Sequence, residues 1–147
     1  MRLFDRLFRR ANPSLTTANG EPKTSSELIA EVTGGANLVD GKQTWEHADT
    51  HKDDIEYMKR CCDAELKTMA SAGLVSAPFY FERVAILSRK QKNYRQEVEY
   101  CERYIQAVET FYQAPGREGQ ADVRKGPRYQ AIIARLPKAK ELLAANP

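Results

Sequence analysis

The sequence predicts an all-α fold, a small bundle of four or five helices built around one antiparallel hairpin. Apolar residues recur every three or four positions in several segments, as they do on the buried face of a helix. β-branched residues are scattered and never alternate with polar residues over a useful length, so no strand is expected. Clusters of Gly, Pro, Ser and Thr separate the periodic segments.

The first ten residues are expected to form a short basic amphipathic helix. Its apolar face would consist of Leu3, Phe4, Leu7 and Phe8, with arginines around it. Residues 11–26 lack apolar periodicity, so we expect a flexible linker between this helix and a single helical domain at residues 27–147. The apolar face requires burial, against protein or on an anionic membrane surface. Protein is favoured, because two helical turns bury little apolar surface for a membrane anchor.

Two elements are expected before the hairpin. A weak helical segment spans residues 27–32 and ends at the glycines that follow. A firmer helix runs from about Thr50 to Ala72. Thr50 and Asp53 have the spacing of a capping box, with Asp in place of the usual Glu, and Gly73 has the position of a C-terminal glycine. This helix is the expected packing partner of the hairpin.

Residues 80–105 have the pattern of two amphipathic helices joined by a very short turn. In the first helix, Tyr80, Val84 and Leu87 recur at helical spacing. Asn93 suits the end of this helix, because asparagine tolerates the left-handed backbone conformation. The apolar stripe of the second helix consists of Tyr94, Val98, Cys101, Ile105, Val108 and Tyr112. A connection this short forces the two helices to lie antiparallel and to pack together.

The hairpin resembles a tetratricopeptide repeat over residues 77–112. The resemblance is carried by the small Ala85, the turn residue Asn93, the aromatic Tyr94 and the aliphatic Val98. Three residues depart from the family pattern: Lys92 replaces the turn glycine, and Glu97 and Tyr104 stand where small residues are usual. The resemblance implies a binding scaffold and no reaction centre. Because such repeats bury their apolar faces by stacking, a single copy requires flanking helices to complete a core.

A further helix is expected near the C-terminus. Residues 113–126 contain three glycines and a proline, which predict a loop. The apolar face of the helix that follows consists of Tyr129, Ile132, Ile133 and Leu136. Pro137 is expected to break or kink the chain, because proline lacks an amide hydrogen and its ring clashes with the preceding turn.

These features favour a protein- or peptide-interaction module, an adaptor or scaffold, over an enzyme. The candidate anchors for a partner are Tyr80, Arg83, Tyr94 and Tyr104, together with the apolar face of the first ten residues. The same tyrosines are candidates for the core, and the sequence leaves the two roles open. The expected partner is another protein or peptide, or a second copy of this chain. The sequence has no GxSxG motif and no glycine-rich phosphate loop with its lysine.

His47, His51 and Asp54 form the one constellation that suggests metal binding. Their i, i+4, i+7 spacing would place two imidazoles and a carboxylate on one helix face. A helix start at Thr50 leaves His47 outside the helix and destroys that alignment, and the HExxH zinc motif is absent. We therefore expect no metal and no cofactor. The neighbouring Trp45 is expected to anchor a core or an interface.

Basic residues are concentrated towards the C-terminus. Between residues 117 and 140 the chain carries seven basic and two acidic side chains, and the candidate patch consists of Arg124, Lys125, Arg128 and Arg135. Together with the basic residues 1–10, this segment suits the phosphates of a nucleic acid or an anionic membrane surface, which defines the alternative functions. Solvated helix faces rich in Lys and Arg are common, however, and no named nucleic-acid motif is present. Protein binding remains the favoured function.

The three cysteines indicate a reduced protein. Cys61, Cys62 and Cys101 are odd in number and lack the CxxC spacing, so neither a disulfide framework nor a thiolate zinc site is expected. No apolar run approaches the roughly 20 residues that span a bilayer, and the N-terminus lacks the pattern of a secretory signal. The expected location is the cytoplasm.

Overall fold

The computed structural model describes residues 14–147, and in this range it confirms the all-α class. Six α-helices follow one another there: α1 (Ser25–Thr33), α2 (Thr44–Thr50), α3 (Ile55–Ala72), α4 (Pro78–Lys90), α5 (Tyr94–Gln113) and α6 (Pro127–Ala145). The basic helix predicted for residues 1–10 lies outside the described residues. Within them, no helix is both long and apolar enough to cross a membrane.

The four long helices form the bundle, and the short elements cover one of its sides. Helix α4 packs against α3 and α5, and α6 packs against both α5 and α4. Helix α1, the short helix α2 and a small strand pair all contact α3. The core therefore lies among α3 to α6, with Met58, Phe81, Val84, Cys101, Tyr104, Val108 and Ile132 fully buried in it.

A two-residue strand pair contradicts the expectation of no strand. Strand β1 (Leu38–Val39) pairs antiparallel with β2 (Lys42–Gln43), with Leu38 opposite Gln43 and Val39 opposite Lys42. The turn residues Asp40 and Gly41 both have positive φ, 51° and 74°, as a two-residue hairpin turn of the I′ type requires. The Asp-Gly pair was the available sequence signal, but strands of two residues are too short to show alternation.

The helix predicted to begin at Thr50 begins instead at Ile55. The carboxylate of Asp54 accepts hydrogen bonds from the backbone N–H groups of Glu56 and Tyr57, at 3.1 and 3.3 Å, and so caps α3. Thr50 is the last residue of α2, a helix that the sequence did not predict. The predicted capping box was therefore wrong, because an acidic N-cap four residues later starts the helix. The prediction that Gly73 ends this helix is confirmed, since Gly73 follows Ala72 in the left-handed conformation.

The hairpin of α4 and α5 forms with one change at its turn. Lys92, where the repeat family has glycine, is the residue with positive φ, at 58°. Asn93 has a φ of −93°, and its side chain accepts a hydrogen bond from the Gln96 N–H as the N-cap of α5. Asn93 was therefore expected in the left-handed conformation that ends α4, but it is the N-cap of α5 instead. In that role its side chain satisfies a backbone N–H that would otherwise have no partner.

The buried face of α5 is rotated from the predicted stripe. Its buried residues are Glu97, Tyr100, Cys101, Tyr104, Val108 and Phe111, whereas Val98 is only half-buried. The buried face is offset by about one residue from the predicted stripe, and it includes the charged Glu97, which an apolar count leaves out. Only Cys101 and Val108 of the predicted stripe are fully buried.

Helix α6 runs through Pro137 without interruption, so the predicted break is wrong. Pro137 lies on the exposed side of the helix, where the ring meets no packed neighbour and water can hydrate the carbonyl that loses its donor. The predicted apolar face is only partly buried, because Ile132 is buried while Ile133 is exposed. A 3₁₀ turn, Val123–Lys125, interrupts the loop that precedes the helix.

All three thiols are buried and unpaired. Burial raises the pKa of Cys61 to about 11 and that of Cys101 to about 12, and it raises the pKa of Cys62 well above its usual value. Since only the thiolate is a good nucleophile or metal ligand, these cysteines act as small apolar residues of the core.

Alkaline pH is expected to destabilise this fold, because buried tyrosines must remain neutral. Burial raises the pKa of Tyr80 to about 12, and burial together with a hydrogen bond to Glu109 raises the pKa of Tyr129 to about 12. An unfolded tyrosine titrates near pH 10. The contribution of these tyrosines to the free energy of unfolding is therefore complete below about pH 10 and is lost as the pH rises towards about 12. Urea unfolding at a series of alkaline pH values measures this loss. Tyr129→Phe should lose less stability over that window, and an equal loss would assign the effect to other groups.

Candidate functional site

A groove between α3 and α5 is the candidate functional site. Its volume is about 490 Å³. Its floor is apolar and consists of Leu66, Met69, Ala70, Ala107 and Phe111, and two arginines, Arg103 and Arg117, line it as well. Among residues 14–147, no acidic side chain lines it. The groove therefore combines an apolar surface with positive charge.

Tyr104 fixes the position of one helix against the other beneath the groove. Its hydroxyl donates a 2.7 Å hydrogen bond to the carbonyl of Ser76, in the segment between α3 and α4. The hydroxyl of Ser76 donates in turn to the carbonyl of Glu65 in α3, at 3.1 Å. Because Tyr104 and Ser76 are both buried, water does not compete for these bonds. The walls of the groove are thus held by a continuous polar connection.

Arg103 has a weak ion pair and an exposed charge. Its guanidinium lies 3.4 Å from the carboxylate of Asp63 and 4.9 Å from the ring centroid of Tyr100. Both the arginine and the aspartate side chain are more than a third exposed, so their attraction is screened by solvent. The guanidinium therefore remains able to pair with a second carboxylate.

Arg117 carries an unsatisfied hydrogen-bond donor. Its guanidinium lies 4.2 Å from the ring centroid of Phe111, and one terminal nitrogen donates to the carbonyl of Gly73 at 3.5 Å. Its Nε is buried and has no hydrogen-bond partner within the described residues. Because this nitrogen is buried, an incoming carboxylate can pair with Arg117 only through the terminal nitrogens of its guanidinium.

A buried ion-pair network holds α4, α5 and α6 together on another side of the bundle. Glu97 is 0% exposed. Arg89 contacts both of its carboxylate oxygens, at 3.0 and 2.9 Å, and Arg135 donates to Oε2 at 2.7 Å. Arg89 also donates to the carbonyl of Arg135 at 3.3 Å. The residue that departs from the repeat pattern at position 97 thus links three helices.

The predicted partner-binding residues are distributed between core and surface. Tyr80 and Tyr104 are buried, at 4% and 0% exposure, so the core alternative holds for them. Tyr94 is half-buried. Arg83 donates to the carbonyl of Lys52 and to the carboxylate of Asp53, which ties α4 to the loop before α3. The predicted apolar face of Leu3, Phe4, Leu7 and Phe8 lies outside the described residues.

The predicted basic patch is largely neutralised by ion pairs within the fold. Arg124 contacts Asp122 and Glu109, and the bond from Arg124 lowers the pKa of Asp122 to about 2. Arg128 contacts the carboxylate of Glu82, and Arg135 contacts that of Glu97. In the described part of the chain, Lys125 alone of the four has no ion pair. The four residues therefore do not form a continuous surface of unpaired cations.

The predicted histidine cluster is a pair. His47 lies in the short helix α2, and so outside the helix α3 that Asp54 caps, as was expected. Its Nε2 donates to the carbonyl of Val39 at 2.7 Å, which leaves its Nδ1 to accept from the Nδ1–H of His51 at 3.3 Å. The carboxylate of Asp54 caps α3. Among residues 14–147, no group of three or more His, Cys, Asp and Glu side chains is arranged to hold a metal ion.

By its structure the chain is a small all-α protein, a bundle of four long helices with short elements packed on one side. No protein-family model, no curated protein and no solved structure matches this chain. Its function is inferred from the geometry of its grooves.

Proposed function

We propose that this protein is a peptide-interaction module, and that the groove between α3 and α5 binds an acidic amphipathic helix of a partner protein. The observation that carries the proposal is the pairing of an apolar floor with Arg103 and Arg117, in a groove that no acidic residue of the described part of the chain lines. The tetratricopeptide resemblance of residues 77–112 is in keeping with an adaptor or scaffold. No catalytic step is proposed.

The shape of the groove favours a helical occupant. The stretch of α5 from Arg103 to Gln113 is about 15 Å long, which matches about ten residues of a partner helix. A helix presents residues i, i+3, i+4 and i+7 on one face, and such a stripe suits the floor around Leu66, Met69 and Phe111. A partner of this kind buries its apolar face only when it is bound.

The charges of the groove favour an acidic occupant. Arg103 is more than a third exposed and has a long ion pair of 3.4 Å. The terminal nitrogen of Arg117 makes a long hydrogen bond of 3.5 Å to the Gly73 carbonyl. Carboxylates placed near the two ends of a bound helix would reach these guanidiniums, and guanidinium–carboxylate pairs are among the stronger hydrogen-bonded contacts in proteins. A basic helix would meet repulsion at both positions.

The proposal is tested with a fluorescent helical peptide of about 16 residues that carries leucine and phenylalanine anchors and glutamates near both ends. We expect saturable binding in a fluorescence anisotropy titration, and weaker binding of a peptide with the same anchors and lysines in place of the glutamates. Arg103→Glu should weaken binding of the acidic peptide by about tenfold or more, which corresponds to about 1.4 kcal/mol.

Arg95→Glu is the matched control, because Arg95 is exposed on the same helix and does not line the groove. It produces the same change of charge and should leave the affinity nearly unchanged. An equal loss in both variants would mean that the peptide responds to net charge and has no specific site. Equal binding of the acidic and basic peptides would contradict the proposal.

A further inference from the structure

A second, smaller pocket lies on the side of the bundle that carries the short elements. It is bordered by α1, by the start of α2, by α3 and by the segment after α3, and its volume is about 220 Å³. The side chains that matter for its chemistry are Ile29, Trp45, Glu65, Leu74 and Val75. Because drug-sized ligands occupy pockets of about 300 to 1,000 Å³, this pocket suits a small chemical group.

Of the residues that the structure describes, Glu65 is the one charged side chain that lines this pocket. Its Oε1 accepts a hydrogen bond from the Thr44 hydroxyl at 2.7 Å, and its Oε2 accepts one from the Ala77 N–H at 3.1 Å. Within residues 14–147 no Lys, Arg or His nitrogen lies within ion-pair distance of it, in contrast to Glu97 with its two arginines. Each oxygen has a further lone pair, so the carboxylate is oriented but lacks a counter-ion. Burial raises its pKa.

Trp45 borders the same pocket and is unusually exposed. Its side chain was expected in a core or an interface, but it is 68% exposed. An indole ring has the most negative π face of the aromatic side chains and attracts organic cations placed over it. Ile29, Leu74 and Val75 add apolar contacts, and the rest of the lining is polar and uncharged: Asn37, Gln43, Thr44 and Thr68.

We infer that this pocket binds an alkylammonium group, with Glu65 as its counter-ion and Trp45 as its aromatic contact. The apolar residues contact the carbon atoms next to the nitrogen. Among the described residues this pocket brings together a carboxylate without a counter-ion, an exposed indole and three apolar side chains, and one ligand class matches all three. The site is separate from the groove between α3 and α5, and its existence does not depend on the proposed peptide binding.

The test uses choline and its uncharged counterpart of the same shape, 3,3-dimethylbutan-1-ol. Trp45 is the single tryptophan of the chain, so tryptophan fluorescence reports on this pocket alone. Choline is expected to change the fluorescence in a saturable manner, whereas the alcohol is not. An equal response to both compounds would mean that the pocket is merely apolar, and no saturable response to choline would overturn the inference.

Glu65→Gln is expected to weaken choline binding about fivefold or more, because it removes the charge and retains a group that can bond to Thr44 and Ala77. Glu46→Gln is the matched control, since Glu46 is an exposed acid next to Trp45 that does not line the pocket. It also keeps a side chain that can complete the capping box of α2. Equal binding by wild type and Glu65→Gln would overturn the inference.

A second variant covers the case in which Glu65→Gln fails to fold. Trp45→Leu changes an exposed residue, so it should preserve the fold, and its choline binding is followed by NMR titration of backbone amides around Glu65. We expect it to lose most of the affinity, and full retention would contradict the role of the indole. A final comparison of choline with a peptide that contains trimethyl-lysine distinguishes a free ligand from a protein side chain as the source of the group.

Discussion

Glu97→Ala is expected to lower the free energy of unfolding by about 3 kcal/mol, because it leaves two arginines without their shared carboxylate. Glu97 is fully buried, and Arg89 and Arg135 approach it from α4 and α6. Both guanidiniums are partly exposed, so water can solvate them in part when the carboxylate is removed. The expected cost therefore lies at the lower end of the range for breaking a buried ion pair. Urea denaturation followed by circular dichroism measures the difference.

Glu99→Ala is the matched control, since Glu99 is an exposed glutamate on the same helix, and it should cost less than about 0.5 kcal/mol. Replacement of all three network residues by apolar ones of similar volume, with Glu97→Leu, Arg89→Met and Arg135→Met, should recover much of the stability, because no charge then remains buried without a partner. If Glu97→Ala costs no more than Glu99→Ala, the network does not contribute to stability.

The helices α3, α4 and α5 were predictable because their burial is mostly apolar. Tyr80, Val84 and Leu87 of α4 are buried as their spacing predicted. In α5 the apolar pattern predicted a neighbouring face, because it included Val98 and left out the charged Glu97, while Tyr104 lies one residue from the predicted Ile105. The polar atoms of both side chains are satisfied by partners distant in sequence, Arg135 in α6 for Glu97 and the Ser76 carbonyl between α3 and α4 for Tyr104.

The short elements were less predictable because local signals compete there. Thr50 and Asp54 both belong to the residue types preferred at N-caps, so the sequence does not show which of them begins the helix. The packing of α2 against α3 decides between them. The Asp40–Gly41 turn was the available sign of the strand pair. The strand pair of β1 and β2 supplies the Val39 carbonyl that orients His47, so the geometry of the histidines also depends on elements that the sequence did not predict.

The two candidate sites depend on tertiary neighbours and leave little trace in the sequence. Arg117 was part of a charge count and Arg103 was not singled out from the sequence. Which cations are neutralised is decided by acids in other elements, such as Glu82 and Glu109. Trp45 and Glu65 are twenty residues apart and meet because α2 packs on α3. No spacing rule connects such residues, whereas a linear motif would have been visible.

Tyr104→Ala is expected to lower the free energy of unfolding by about 4 kcal/mol, through a cavity and a lost hydrogen bond together. The centroid of the Tyr104 ring lies 4.7 Å from that of the Phe81 ring and 6.1 Å from that of the Tyr129 ring. Removal of the ring therefore leaves a void among α4, α5 and α6. The carbonyl of Ser76 also loses its donor. Chemical denaturation of the variant measures the sum of both effects.

Tyr104→Phe separates these two contributions, because it keeps the ring and removes only the hydroxyl. Its expected cost is about 1–2 kcal/mol, the penalty for one buried carbonyl left without a partner. A Phe variant as stable as the wild type would show that the Ser76 carbonyl finds water, and the bond from Tyr104 would then not hold the wall of the groove. A Phe variant as unstable as Tyr104→Ala would contradict the packing role of the ring. The expected intermediate value means that the ring fills the bundle while the hydroxyl positions the segment between α3 and α4, and with it the surface proposed to receive a partner helix.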